Sequence, residues 1–440
     1  MIVVKFGGTS VGKPERMKKI AELVLGTPGK KIVVLSALSG TTNTLVAIGD
    51  HLLAGQHAKA EEEIAGLEKH YQAFIKELYG SESFHAIGQE IVSRFFIFIR
   101  LLAAGQFDSK SYRELLAQGE LISTELFYQH LQERKVSARL LPALYFMSID
   151  ENDEPELEKI SDRLKPLVSS LNNIDIIITQ GFICRNNRNE IDNLKRGGSD
   201  YTASLIGAAI RADEIQIWTD IDGMHNNDPR IVKKTVAISE LTFDEASELA
   251  YFGAKILHPA TIVPAQKYNV PVRLKNTMDE KAPGTIITSK GTEGSFKAIA
   301  AKDGITAIKI KSSRMLMAYG FLRKVFEVFE NHKTSIDMIT TSEIAVSITI
   351  DNNTHLASIE TELKKFGTIE VDKDQIIICI VGNKITEQKG VLNKIFDALV
   401  DIPVRMVSCG ASSNNVSILV EKQYKEKALN VLNEGLFGLK

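Results

Sequence analysis

Met1-Ile2-Val3-Val4-Lys5-Phe6-Gly7-Gly8-Thr9-Ser10 runs from a β-branched apolar stretch through two glycines into a helical segment. A strand, a glycine turn and a helix in that order open an α/β sheet. Comparable short apolar runs recur at Lys31–Leu35, Ile174–Thr179, Ile215–Trp218 and Val272–Leu274, separated by helical stretches such as Tyr201–Ile210. Strands this uniformly apolar are buried on both faces, so the expected fold class is α/β, a mainly parallel sheet between helices. From about Asp50 to Gln118 the pattern is helical instead and reads as an excursion from the sheet. Within it, Glu61-Glu62-Glu63 reads as a solvated face and Phe95-Phe96-Ile97-Phe98-Ile99 as helix core.

The chain has 440 residues, enough for two or three domains at roughly 150 residues each. Apolar residues make up 44% and charged residues 25%, with a net charge of −2, which gives no reason to expect nucleic acid or an anionic membrane as partner. Three widely spaced cysteines, Cys184, Cys379 and Cys409, form no metal-ligand pattern and suit a reducing cytoplasm. The first residues lack the basic start and long apolar core of a signal peptide, and no run approaches the roughly 20 apolar residues of a membrane span. A cytoplasmic location with no membrane partner is expected.

Pro283-Gly284-Thr285 and the polar, glycine-containing stretch from Thr288 to Ser295 place a domain boundary near residue 295. Beyond it lies a repeat. Gly320, Leu322, Lys324 and Phe326 recur 70 residues later as Gly390, Leu392, Lys394 and Phe396, and Val346-Ser347-Ile348 recurs as Val416-Ser417-Ile418. Each copy reads as strand, helix, strand, strand and a second helix, and in the first copy a strand at Gln375–Val381 follows; this is a ferredoxin-like α+β unit used twice.

Three elements of the first half suit anionic ligands. Lys5-Phe6-Gly7-Gly8 brings a cation and close-approaching backbone amides to a helix start, although a plain glycine turn would look the same. Gly7 to Lys13 imitates the start of a P-loop, but Pro14 stands where that loop needs a Mg²⁺-binding hydroxyl. Arg196-Gly197-Gly198-Ser199-Asp200-Tyr201 again sets glycines before a helix, with a cation and a carboxylate. Trp218-Thr219-Asp220-Ile221-Asp222-Gly223, followed by Asp228-Pro229-Arg230, is a strand running into a turn, and strand ends are where open α/β sheets bind ligands.

These motifs, together with Phe243-Asp244-Glu245-Ala246 and Gly253-Ala254-Lys255-Ile256-Leu257-His258-Pro259, resemble the aspartokinases within the amino-acid kinase family. Ser36 to Asn43, Gly119 to Ser123 and Gln180-Gly181-Phe182 extend the resemblance over the whole chain. It implies ATP with Mg²⁺ and L-aspartate as substrates. It also implies Lys5, Asp200 and Lys255 as catalytic residues, and Lys5, Gly7, Gly8, Thr219, Asp220, His225, Arg230 and Lys255 around the nucleotide. For aspartate the matching positions are Ser36, Thr42, Glu120, Phe182, Arg196 and Ser199, with Glu120 suited to the α-ammonium and Arg196 to the α-carboxylate. His258 is more simply a packing residue than a catalytic one.

The repeat resembles a pair of ACT domains. That implies a kinase domain over 1–295 and a regulatory region over 296–440, with interleaved copies at about 304–375 and at about 296–303 plus 376–440. The closest likeness is to lysine-sensitive aspartokinases, with lysine as effector. Its implied contacts are Met315, Gly320, Phe321, Leu322, Ser335, Ile336, Asp337, Thr341, Ser342 and Glu343; the alternative is that the polar ones merely cap a strand and turn. A homodimer through the ACT domains is expected, with tetramers left open. Departures from the aspartokinase pattern are Asp192-Asn193-Leu194-Lys195 where Thr-Thr-Leu-Gly is usual, Cys184 where glycine is common, and His225 where tyrosine often touches the nucleotide. Competing readings are a different kinase of the amino-acid kinase family, acting on glutamate or a nucleotide monophosphate, and a non-catalytic amino-acid sensor.

Overall fold

The computed structural model describes residues 1–195, 197–253, 257–312 and 319–439. The chain forms two compact units, Met1–Met224 with Leu257–Ser289, and His225–Ile256 with Lys290–Lys440. The units thus change over after Ser289, where the polar stretch was expected to end a domain near 295, and the 225–256 segment groups with the second unit.

In the first unit the strands lie in the order Ala138–Leu140, Ile176–Gln180, Lys31–Leu35, Ile2–Phe6, Glu214–Thr219, Val272–Asn276, Thr285–Thr288. All neighbouring pairs are parallel except the last, which is antiparallel. The first strand is central: the chain moves from it to Lys31–Leu35 on one side and returns to Glu214–Thr219 on the other. The crevice at the carboxyl ends of Ile2–Phe6 and Glu214–Thr219 is therefore a topological switch point, the usual ligand position of such sheets. Helix Ser109–Glu133 packs on the core with Leu115, Ile122, Leu126, Phe127 and Leu131. The run Phe95–Ile99 is core only in part: Phe96 and Ile99 are buried, whereas Ile97 and Phe98 are exposed, since a helix with 3.6 residues per turn cannot turn five successive side chains inward. Glu61-Glu62-Glu63 is exposed, as expected.

In the second unit the strand order is Ile339–Thr341, Ala345–Ile350, Ala298–Lys311, Thr368–Val381, Asn415–Glu421, Met406–Cys409, with every neighbouring pair antiparallel. The long strands Ala298–Lys311 and Thr368–Val381 each run through both halves, so that Ala298–Ala301 pairs with Ile378–Val381 while Ala307–Lys311 pairs with Thr368–Asp372. Two separate cores result. Ile308, Ile310, Val325, Phe329, Ile348 and Ile359 form one; Ile378, Ile380, Ile395, Ile418, Leu429 and Leu432 form the other. Gly320 and Gly390 precede the equivalent helices Phe321–Asn331 and Val391–Ala398 with φ of +76° and +77°. The repeat keeps glycine there because a left-handed residue carries a steric cost for any side chain.

Candidate active site

Lys5 is the next-to-last residue of the central strand, flanked by Val34 and Ile217 in parallel register. Its side chain is 9% exposed and its ammonium lies 2.5 Å from Asp200 Oδ1. Asp200 sits in the first turn of helix Gly198–Ile210, where a carboxylate is favoured by the free amides. A Cβ at position 7 would lie 3.2 Å from the Lys5 ammonium, so Gly7 leaves room for that cation over the loop. Gly8 begins a short helix ending at Val11, and Pro14 is the first residue of helix Pro14–Gly26, a position proline suits because its missing N–H is not needed there.

Neighbouring parallel strands end just before Ser36 and Phe182 and at Thr219, all on the same edge of the sheet. Ser36 follows Lys31–Leu35, its N–H donating to the Phe6 carbonyl at 3.2 Å, and its carbonyl accepts from Ser123 Oγ at 2.8 Å. One residue on, the Ala37 N–H donates to Glu120 Oε1 at 3.2 Å. Glu120 is 3% exposed, its Oε2 is buried without a hydrogen-bond partner, and burial pushes its carboxyl up to about 8 against the pull of the Ala37 amide. A buried, half-satisfied carboxylate is costly, and an arriving ammonium would complete it. Thr42 is half-buried in the first turn of helix Thr41–Leu53, whose buried Thr41 hydroxyl is held 3.0 Å from Tyr71 OH.

Phe182 follows strand Ile176–Gln180 with φ of +64°, a strained value for a bulky side chain. Its main chain is gripped on both sides: the N–H donates to Thr202 Oγ1 at 3.0 Å, and the carbonyl accepts from Leu194 N at 2.6 Å. Strain maintained by surrounding bonds is a feature of binding sites. Ser199 lies half-buried beside Asp200. Thr219 ends its strand with its hydroxyl 3.3 Å from the Ile221 N–H, and Asp220 is exposed beyond it. Arg196 and Lys255 lie outside the described residues.

His225 and Arg230 belong to the second unit. His225 Nδ1 is 2.8 Å from Thr235 Oγ1, and Arg230 is exposed with its guanidinium on both oxygens of Asp228, at 2.7 and 2.9 Å. His258 caps helix Pro259–Tyr268, its Nδ1 accepting from the Ala260 N–H at 3.2 Å.

Of the expected effector contacts, Met315 lies outside the described residues. Phe321 is buried, Ile336 half-buried, and Leu322, Ser335, Thr341, Ser342 and Glu343 are exposed. Ser342 Oγ accepts from the Ala345 N–H at 3.2 Å, so this hydroxyl does cap the turn between the two strands. Asp337 differs: its side chain is 1% exposed, Oδ1 accepts from Lys302 Nζ at 2.7 Å and from Tyr251 OH at 3.2 Å, and Oδ2 is buried without a partner. Burial pushes the Asp337 carboxyl above the usual range against the pull of Lys302. Lys302 and Tyr251 had no motif to announce them, since each reaches Asp337 from a remote stretch of chain.

A family model described as Amino acid kinase family matches residues 1–276, and one described as ACT domain matches residues 378–436. The lysine-sensitive aspartokinase 3 of Escherichia coli (strain K12) is 34% identical over 453 residues, covering 99% of each chain. The crystal structure of E. coli aspartokinase III in complex with aspartate and ADP (R-state) matches with a TM-score of 0.86 at 34% identity, over 99% of this chain and 100% of that one. The complex of the same enzyme with lysine and aspartate (T-state) matches with a TM-score of 0.82 at 35% identity, over 99% of each chain.

Proposed function

The chain belongs to the aspartokinases of the amino acid kinase family, and we infer that it transfers the γ-phosphoryl group of ATP to the side-chain carboxylate of L-aspartate, giving 4-phospho-L-aspartate. This is the first step of lysine, threonine and methionine biosynthesis. The observation that carries the reading is the buried Lys5 ammonium, held by Asp200 at the glycine loop of the switch point. An aspartate side chain has a pKa near 4, so the nucleophile is ionised at neutral pH and needs no general base. The barrier is repulsion between two anions, which positioned cations relieve. Lys5, Lys255 and the Mg²⁺ of the MgATP substrate supply that charge, and Asp200 holds Lys5 in place. Gly7, Gly8, Thr219, Asp220, His225 and Arg230 are assigned to the nucleotide, and Ser36, Thr42, Glu120, Phe182, Arg196 and Ser199 to aspartate. Trapping with hydroxylamine tests the reading: an aspartyl hydroxamate formed only with MgATP and aspartate supports it, and ADP release without trappable acyl phosphate contradicts it.

Glu120 makes the aspartate side of the site sensitive to pH. The α-ammonium is best met by the ionised carboxylate, which below about pH 8 first has to release its proton. The KM for aspartate is therefore expected to fall about fivefold between pH 7 and pH 8. Initial rates across that interval check this, and Glu120→Gln should flatten the dependence.

Lysine is assigned as feedback effector at the first ACT copy, with Asp337 facing one of its ammonium groups. Asp337→Asn keeps the shape of the group and loses its charge. The lysine concentration for half-inhibition should rise on the order of 10- to 100-fold, while the KM for aspartate stays unchanged; inhibition curves measure both. A homodimer through the ACT domains is supported by apolar side chains left exposed at equivalent repeat positions, Leu322 and Phe326 at 36% and 40%, Leu392 and Phe396 at 38% each. No described helix is long and apolar enough to cross a membrane, and a cytoplasmic location suits this metabolism.

A further inference from the structure

The two ends of aspartate are assigned to separate pieces of chain. Glu120, for the ammonium, stands on helix Ser109–Glu133; Phe182 and Arg196, for the rest, bracket the hairpin of strands Ile183–Arg185 and Ile191–Asn193. Among the described residues, no main-chain hydrogen bond ties that hairpin to the helix. A charged cluster does. Arg113, seven residues or about two turns before Glu120, reaches Asp192 Oδ2 with Nε at 3.1 Å and Glu190 Oε2 with Nη2 at 3.6 Å. Lys110, one turn earlier, lies 3.7 Å from Glu190 Oε1. From the hairpin side, Asn186 Nδ2 donates to Asp192 Oδ2 at 3.2 Å, and Asn186 Oδ1 accepts from the Arg188 and Glu190 amides at 3.0 Å each.

The cluster is half-shielded, with the side chains of Arg113 and Asp192 27% and 16% exposed. The Arg113 approach to Asp192 is an ion pair rather than an aligned hydrogen bond, since its Nε lacks a well-directed acceptor. Register then carries the constraint inward. Asp192 is the partner of Cys184 across the hairpin and Asn193 that of Ile183, and Leu194, 2% exposed, donates to the Phe182 carbonyl. Fixing Asp192 against the helix thus fixes the strained Phe182 and the start of the segment leading to Arg196. Asp192 is also one of the residues by which the chain departs from the aspartokinase pattern before that arginine.

We propose that Arg113 is a positioning residue which, through Asp192 and Glu190, sets the spacing between Glu120, at the ammonium-binding end of the aspartate site, and Phe182 at the base of the hairpin, and so favours aspartate over its longer homologue glutamate. The proposal rests on the assignment of Glu120, Phe182 and Arg196 to aspartate. A reactant held at both ends is sensitive to small changes in that spacing, and a half-exposed ion-pair cluster is worth only a modest amount.

Arg113→Gln and Asp192→Asn are each expected to raise the KM for aspartate about threefold to tenfold, with the KM for MgATP and the kcat little changed and the preference for aspartate over glutamate in kcat/KM reduced. The double variant should be no worse than Arg113→Gln alone, because Asp192→Asn removes one of the two contacts that Arg113→Gln already removes. Asp192→Glu should recover part of the loss. Asp192→Asn is isosteric and keeps the test available if the Arg113 variant folds poorly. An unchanged aspartate KM in a folded variant, equal rises for aspartate and MgATP, or additive effects in the double variant would overturn the clamp. Absence of aspartate-dependent turnover in the unaltered enzyme would overturn the functional assignment itself, a separable outcome.

Discussion

Lys5→Ala is expected to lower kcat by roughly 10²- to 10³-fold while leaving the KM for aspartate near its original value. The ammonium meets charge that develops on the transferring group, so its loss falls on the transition state more than on the bound substrate. Lys5 is also part of a buried ion pair, and removing one partner leaves Asp200 uncompensated. Some loss of thermal stability should accompany the loss of rate. The double variant Lys5→Ala, Asp200→Asn separates the two effects: neutralising the stranded carboxylate should restore the melting temperature and leave turnover as low as in the single variant. Steady-state rates and thermal melts measure both, and recovery of turnover along with stability would show that Lys5 serves the fold rather than the chemistry.

Glu120→Gln should act on binding instead. The ammonium of aspartate is present before, during and after phosphoryl transfer, so a group that holds it contributes equally to ground and transition states. Replacing the carboxylate by an amide should cost about 2–3 kcal/mol of aspartate binding, a rise in KM of roughly 30- to 150-fold. Both kcat and the KM for MgATP should stay within a few-fold. The variant is isosteric and retains an oxygen for the Ala37 amide, so the helix and its neighbours should be undisturbed. A large fall in kcat with little change in KM would mean that Glu120 acts in the transfer step.

The parallel sheet was legible because its strands are short uninterrupted apolar runs, and the glycine loop because two glycines after a strand have few other uses. The repeat was legible in Gly320 and Gly390, which share one left-handed conformation. Continuity of strand Ala298–Lys311 was harder to read. Lys302-Asp303-Gly304 looks like a turn, yet the strand passes through it with irregular register between Lys302 and Ala307. A bulge absorbs polar residues that a regular ladder would reject. Ile97 and Phe98 misled because composition reports apolarity and not which face of a helix has a neighbour. Least legible were the charge partners. Lys302 reaches Asp337 across 35 residues, and Arg113 reaches Asp192 across 79. Such pairs carry no local pattern, since each member taken alone looks like a solvated surface charge.

Both halves of the account meet in one assay, ADP release by the purified protein with MgATP, comparing aspartate with glutamate and then titrating lysine and threonine. The account predicts turnover with aspartate well above that with glutamate, suppressed by lysine. ATP binding with no aspartate-dependent ADP release would contradict it and favour a non-catalytic sensor of amino acids.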